Sequence, residues 1–164
     1  LLLWSTQGIV TEKPPYALRT VPSAGARHAF ETYLYLQRVT GFDEGLYRYL
    51  PAEHALVFMR DGPDLRAQLV VGCLGQSFVA HAAAVFIWTA IPYRMEWRYG
   101  AAAHKTIAID AGHVCQNLYL ACGAINAGTC AVAAYDQVRM DELLGVDGDE
   151  EFTIYLAPVG LIQS

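Results

Sequence analysis

One short segment of the chain consists of residues with little or no side chain. In residues 22–26, Ser23, Ala24, Gly25 and Ala26 follow a proline and precede an aromatic, strand-like stretch. Such residues let a flat ligand approach the backbone closely, Ser23 adds a hydroxyl, and the turn adds N–H groups. The segment therefore predicts either a ligand cradle or an ordinary tight turn.

A second segment of small residues follows the longest helical pattern of the chain. Residues 127–136 include Val132, Ala133 and Ala134. An extended backbone there presents N–H groups without bulky cover, as a redox-active ring needs when backbone donors tune its electronics. A buried strand without a ligand is the alternative.

A polar stripe on the same helical pattern is a third candidate. Asp110, His113 and Asn117 follow one another at steps of three and four residues, so they share one helix face. Asp110 then has the right spacing to orient His113 as an acid or base. The alternative is a buried polar network that fixes helix packing or the register of a dimer.

The predicted strands and helices that must position these groups do not alternate regularly along the chain. This order favours an α+β fold with a mixed, mainly antiparallel sheet flanked by helices. A single domain is expected over residues 1–164. Strands are predicted at residues 30–37, 46–50, 55–59, 83–89 and 152–159, with 83–89 central and buried on both faces. Short helices are predicted at residues 1–7, 64–71 and 140–144, and residues 11–19 are expected to form a loop.

The long helix is predicted from apolar residues that recur with the helical period between Ile107 and Ile125. Gly128 is expected to end it. Other faces of this helix are apolar as well, which is typical of a buried or interface helix. Gly112 and Gly123 each weaken an isolated helix by about 1 kcal/mol, so close approach of a second helix is their expected role.

Composition excludes several classes of partner. Charged residues make up 16% of the chain, against about 25% in an average domain, and the formal net charge is −5. This low charge favours an apolar face covered by a partner subunit. No cationic cluster supports nucleic-acid binding. The longest apolar run, residues 82–91, is about half of the ~20 residues that span a bilayer.

Motif searches narrow the chemistry further. Phosphate-loop, dinucleotide-binding, serine-hydrolase and zinc-protease motifs are all missing from the sequence. No metal site is predicted. The four cysteines, Cys73, Cys115, Cys122 and Cys130, have no metal-ligand spacing and are expected to be reduced core residues of a cytoplasmic protein.

Taken in order, several stretches resemble the nitroreductase superfamily, specifically its SagB-type dehydrogenase branch. The three main ones are residues 19–26, residues 110–121 and residues 128–136, and residues 45–49 and 155–160 add support. The resemblance covers nearly the whole chain. It implies an α+β homodimer that binds FMN at the subunit interface, with the long helices packed at its centre.

The resemblance also implies roles for the two small-residue segments. Ser23, Ala24, Gly25 and Ala26 are expected to line the FMN ring and ribityl chain. Val132, Ala133 and Ala134 are expected along the flavin edge, with a backbone N–H at N5. The implied chemistry passes a hydride from NAD(P)H through flavin N5 to a small organic acceptor, such as a nitro compound or quinone.

Two departures from the family pattern bear on activity. The family's Arg-rich segment, which grips the FMN phosphate, lies upstream of the point where this chain begins. Azoline oxidases of the branch carry a Lys-Tyr pair before the long helix, where this chain has Ala103 and His104 followed by Lys105. The resemblance therefore does not extend azoline oxidation to this chain.

Two alternatives to a flavin enzyme stay open at this stage. One is a family member that has lost flavin binding and acts as a binding or scaffold subunit. The other stores flavin or consumes it as substrate. Yellow colour of the protein with FMN distinguishes an enzyme from the first alternative. Turnover with NAD(P)H distinguishes an enzyme from the second.

Overall fold

The computed structural model describes residues 1–14 and 16–162. Its main feature is a six-stranded sheet of order β5-β4-β3-β6-β8-β7, in which every pairing between described strands is antiparallel. The strands are β3 (Phe30–Leu36), β4 (Gly45–Leu50), β5 (Ala55–Arg60), β6 (Ala84–Ala90), β7 (Ala127–Thr129) and β8 (Phe152–Leu161). The expected α+β architecture is thus confirmed.

The two central strands are buried along their whole length. All residues of β3 and of β6 are buried, because both faces of the sheet are covered. Successive side chains of a strand point to opposite faces, so each strand feeds two cores. Phe86 and Trp88 belong to one core, and Val85 and Ile87 belong to the other. The prediction of a central strand at residues 83–89 is confirmed, one residue later than expected.

Helices cover the two faces. The described helices are α1 (Leu2–Gln7), α2 (Leu65–Gly72), α3 (Tyr93–Tyr99), α4 (Ala103–Ala124) and α5 (Gln137–Leu144). The long helix α4 packs on the face that carries Trp88, whereas α2 and α5 pack on the face that carries Ile87. The long helix expected over residues 107–125 is therefore confirmed, and it begins one turn earlier.

The end of α4 differs from the prediction. The helix ends at Ala124, and Asn126 has a left-handed φ of 55°. Gly128 lies instead in β7, where it pairs with Gly160 of β8. Asparagine tolerates the left-handed region better than other non-glycine residues, so it ends the helix in the position expected for glycine.

The expected loop at residues 11–19 is wrong in the part of the chain that the structure describes. β1 (Ile9–Lys13) and β2 (Tyr16–Arg19) form a separate antiparallel hairpin. Pro15 lies outside the described residues. The strands satisfy one another's backbone hydrogen-bonding groups through this pairing. Helix α3 was also missed, because its seven residues are too few to show a helical period.

One cysteine prediction needs correction. Cys73, Cys115 and Cys122 are buried free thiols, as expected, but Cys130 is exposed. Burial raises the pKa of Cys73 and of Cys115 to about 11. Among residues 1–14 and 16–162, no helix has the length and apolarity needed to cross a membrane.

Candidate functional site

The turn at residues 22–26 has a conformation that favours small residues. Ala24–Ala26 form one 3₁₀ turn, closed by the N–H of Ala26 donating to the Ser23 carbonyl oxygen at 2.9 Å. Both Gly25 (φ 58°) and Ala26 (φ 54°) occupy the left-handed region. A Cβ on Gly25 would lie 2.6 Å from the hydroxyl oxygen of Tyr99, so both the space and the positive φ favour glycine there.

Asp110 holds this turn against the long helix. Its side chain is buried, and its two carboxylate oxygens accept the N–H of Ala24 at 3.2 and 3.0 Å. The Ser23 hydroxyl oxygen accepts the N–H of His28 at 2.9 Å, which closes the other end of the turn. The predicted residues Ser23, Ala24, Gly25 and Ala26 are thus one rigid unit fixed to α4.

The polar stripe of α4 does not form an Asp–His pair. Asp110 binds the Ala24 backbone, and Asn117 donates to the Ser5 carbonyl oxygen at 2.8 Å. His113 is exposed. Asp110 and Asn117 therefore fix neighbouring segments to the helix, which agrees with the packing interpretation rather than with an acid–base pair.

Positive charge surrounds the turn on the side of α3. The Arg27 guanidinium stacks over the Trp97 ring, with its carbon 4.3 Å from the ring centre. The Nε atom of Arg98 lies 3.3 Å from the position that a Gly25 Cβ would take. Within the described residues, neither arginine has a carboxylate within 4.0 Å. These two cations are therefore available to an anionic ligand.

A buried polar atom beside the turn is also consistent with an anionic ligand. The Nε atom of Arg27 is inaccessible to solvent and has no hydrogen-bond partner among the described residues. Sequence reasoning missed Arg27, although it directly follows the turn. It missed Trp97 and Arg98 as neighbours of the turn because helix α3 was not predicted.

The second segment is part strand and part exposed backbone. Val132 is buried, and it exchanges two hydrogen bonds with Leu156, of 2.8 and 3.3 Å. Its N–H is therefore occupied. Ala133 and Ala134 are exposed, and in the described structure their N–H groups have no protein acceptor. Backbone donors for a ligand are thus offered by Ala133 and Ala134.

Both segments are attached to α4, but on opposite faces. Ala24 bonds to Asp110, and the N–H of Ala131 donates to the Tyr119 hydroxyl oxygen at 2.9 Å. Tyr119 lies nine residues after Asp110, which corresponds to about half a turn of rotation and about 13 Å along the helix axis. Within one chain, each of the two segments is therefore attached to the helix, but the two segments do not lie together.

Comparisons with known proteins identify the family of this chain. The model of the nitroreductase family matches residues 8–161. A nitroreductase-like protein of Methanocaldococcus jannaschii is 33% identical over 159 residues, which are 97% of this chain and 77% of that protein.

Two solved structures have similar folds. A nitroreductase-like protein of Anabaena variabilis has a TM-score of 0.89 at 26% identity, over 96% of this chain and 33% of that one. The chain thus spans only a third of that protein's length. A chain of the Escherichia coli microcin synthetase complex has a TM-score of 0.81 at 18% identity, over 99% of this chain and 62% of that one, which is a likeness of fold alone. Because the family model and the relative from Methanocaldococcus jannaschii both match nearly all of its length, this chain belongs to the nitroreductase family.

Proposed function

We propose that the protein is an FMN-dependent oxidoreductase. When bound, FMN would supply the two-electron chemistry, with hydride taken from NAD(P)H and given to a small organic acceptor such as a nitro compound or quinone. The observation that carries this proposal is the small-residue turn at Ser23–Ala26, which Asp110 fixes and which two unpaired arginines flank.

The residues of the turn fit the requirements of a flavin. The residues of the turn have little or no side chain, so a flat group can approach its backbone closely. Arg27 and Arg98 place positive charge beside it, which suits a phosphate group. We assign Ser23, Ala24, Gly25 and Ala26 to the ring and ribityl chain.

The second segment supplies the edge contacts. Val132 fixes the segment to strand β8 through Leu156 and leaves no N–H for a ligand. We therefore assign the N–H at flavin N5 to Ala133 or Ala134, with Val132 as apolar contact. A backbone donor at this position stabilises added electron density on the ring.

We further propose that the functional unit is a homodimer formed through the outward face of α4. Ile109 and Leu120 on this face are 48% and 65% exposed. Gly112 and Gly123 have nothing within 4 Å of an added Cβ, so a second helix can approach closely there. Since the two flavin segments are attached to opposite faces of α4, one site would draw the turn from one copy and Ala133–Ala134 from the other.

We propose that the chain descends from the SagB-type branch but does not oxidise azolines. Ala103 and His104 stand where the branch's azoline oxidases carry Lys and Tyr, and Ala103 is fully buried. An alanine has no ionisable group for that chemistry. We therefore expect acceptors that need only hydride and a proton from water.

A visible absorption spectrum tests the proposed function. The purified protein is titrated with FMN, and bound flavin is then exposed to NADH or NADPH under anaerobic conditions. We expect about one FMN per chain, bleached by one of the two donors. A protein that is colourless once unbound FMN has been removed contradicts the proposal and favours a scaffold role. Bound flavin that neither donor bleaches favours a flavin-storing role.

A further inference from the structure

Two side chains anchor the backbone that carries Ala133 and Ala134. On one side of it, the Tyr119 hydroxyl oxygen accepts the N–H of Ala131 at 2.9 Å. On the other side, Nε2 of Gln76 donates to the Ala134 carbonyl oxygen at 2.7 Å. Tyr119 belongs to α4 and Gln76 follows α2, and these two helices pack on opposite faces of the sheet. The segment is therefore held from both faces.

The Gln76 side chain is itself fixed by the end of α2. Its Nε2 atom also donates to the carbonyl oxygen of Cys73, at 2.9 Å. A side-chain NH₂ group has two hydrogens, so both donors of Gln76 are used. The N–H of Asp136 donates to the Gly72 carbonyl oxygen at 2.7 Å. The C-terminal end of α2 thus fixes the segment at two points, through Gln76 and through Gly72.

These contacts fix two peptide planes and leave one between them free. The Val132 carbonyl oxygen accepts the N–H of Leu156 at 3.3 Å, which fixes the peptide between Val132 and Ala133. Because a trans peptide directs its C=O and N–H in opposite directions, the Ala133 N–H faces away from β8. Gln76 fixes the peptide that follows Ala134. Within the described residues, the peptide between Ala133 and Ala134 has no protein partner.

The direction of the free peptide depends on the planes on either side of it. Its N–H belongs to Ala134, and this N–H turns only about the bonds at Ala133 and Ala134 while both neighbouring peptides are held. Without Gln76, two consecutive peptides are unanchored, and the Ala134 N–H samples many more directions. Gln76 and Tyr119 therefore limit the orientation of backbone donors that have no protein partner of their own.

Stability alone does not account for these two anchors. Tyr119 is 41% exposed, and Ala134 is exposed as well. Water replaces a lost partner at such positions, so a hydrogen bond there adds little to the free energy of unfolding. The main effect of the two bonds is on the orientation of the free N–H groups of Ala133 and Ala134.

We propose that Gln76 and Tyr119 are positioning residues for the flavin edge, because they hold the Ala133–Ala134 backbone with its free N–H groups directed at the ring. This inference rests on the proposed FMN function. Donors fixed in advance stabilise electron density added to the ring without first having to reorient. Loss of either anchor therefore makes bound FMN harder to reduce, while the Ser23–Ala26 turn still binds it.

Backbone ¹⁵N relaxation of the protein without added FMN tests whether the two side chains order the segment. Gln76→Met keeps the length of the side chain but removes its NH₂ group. It should lower the order parameter of the Ala134 amide toward the flexible value of about 0.6. Tyr119→Phe should lower that of the Ala131 amide in the same way. Gln68→Met, the matched change at an exposed position of α2, should leave both amides unchanged.

Redox titration of the FMN-bound protein tests whether this order acts on the flavin. Gln76→Met and Tyr119→Phe should each lower the equilibrium constant for two-electron reduction at least about threefold. The double variant should lower it about tenfold, which corresponds to about 30 mV in midpoint potential. Tyr47→Phe is the control, because it removes a hydroxyl group that donates to the Asp43 carbonyl oxygen at 3.0 Å, in a strand separated from β8 by two others. It should leave the potential unchanged.

Three results would each overturn the inference: amides whose order neither substitution changes, an unchanged potential in the double variant, or an equal shift of the potential in Tyr47→Phe. If Gln76→Met does not fold, Tyr119→Phe, which removes a single oxygen atom, still decides the outcome. An unmodified protein that binds no FMN contradicts the proposed function itself and this inference with it. FMN that binds with the same potential in every variant contradicts the positioning inference alone.

Discussion

Both carboxylate oxygens of Asp110 accept the backbone N–H of Ala24, a residue 86 positions earlier in the chain. This contact fixes the conformation of a turn whose residues have almost no side chains to hold it. A helix residue thereby controls how the backbone of a distant loop is presented to a ligand.

Substitution of Asp110 by alanine should therefore loosen the turn. Loss of the acceptor leaves the N–H of Ala24 without its partner, and we expect a fall of about 1–3 kcal/mol in the free energy of unfolding. The affinity for FMN should fall at least about tenfold. Urea denaturation and flavin titration measure the two effects, and Asp61→Asn, at an exposed position before α2, is the control that should change neither. Unchanged FMN affinity would remove the turn from the proposed flavin site.

Substitution of Gly25 by alanine tests the close approach at the turn. The new Cβ would meet the Tyr99 hydroxyl oxygen at 2.6 Å and would sit at a φ of 58°. Gly41 has a similarly positive φ of 88° but nothing within 4 Å of a Cβ, so Gly41→Ala isolates the cost of the backbone conformation, about 1–2 kcal/mol.

We expect Gly25→Ala to lower the free energy of unfolding more than Gly41→Ala does. Adding Tyr99→Phe to the Gly25→Ala variant should recover part of the difference, because it removes the hydroxyl oxygen. Thermal unfolding measures all three. Equal costs at both glycines would show that Tyr99 does not limit the space at the turn.

The pH dependence of stability should reflect His28. Burial, and next the nearby positive charge of Arg19, lower the pKa of His28 from 6.5 to about 4. Between these two pH values the unfolded chain binds a proton that the folded chain does not, so stability falls as the pH drops through this window. We expect a loss of about 1–3 kcal/mol between pH 7 and pH 4.

The matched variant is His28→Asn, because His28 has a φ of 49° and asparagine tolerates that region. Denaturant unfolding at pH 7 and pH 4.5 compares the two proteins. The variant should lose less stability on acidification, and an equal loss in both would assign the effect to other groups.

The outward face of α4 should decide the oligomeric state. Leu120→Arg places a charge at a position that is 65% exposed in one chain, and it should yield a monomer if a second copy packs there. Val138→Arg, at a position on α5 that is 64% exposed, is the control and should leave the mass in solution unchanged. Light scattering after size-exclusion chromatography measures both. Loss of bound FMN together with the dimer would support a site shared between copies.

The strands and the long helix were predictable because their patterns are local. Residues 83–88 form a continuous apolar run, and apolar residues between Ile107 and Ile125 recur with the helical period. The hairpin of β1 and β2 was not predictable in this way, since its strands have only five and four residues and none of their residues is fully buried. Its structure depends on pairing between two segments rather than on either sequence alone.

The two segments of the candidate site were predictable from the sequence, but the hydrogen bonds that their residues make were not. The small residues at 23–26 and 132–134 stand out in the sequence, whereas the partner of Asp110 does not. Spacing on the helix suggested His113, three residues away, but the fold supplies Ala24 from a distant turn. Only tertiary structure reveals that one of the three candidate N–H groups, that of Val132, is already occupied by Leu156.

The uneven exposure of the four cysteines makes the chain selectively labelable. Cys130 is the exposed thiol, and it lies two residues before Val132. The pKa of Cys73 and of Cys115 is raised to about 11, and Cys122 is buried, so these thiols react slowly at neutral pH. A maleimide dye should therefore attach at one position, where its fluorescence reports on the Val132–Ala134 backbone without any substitution in the protein.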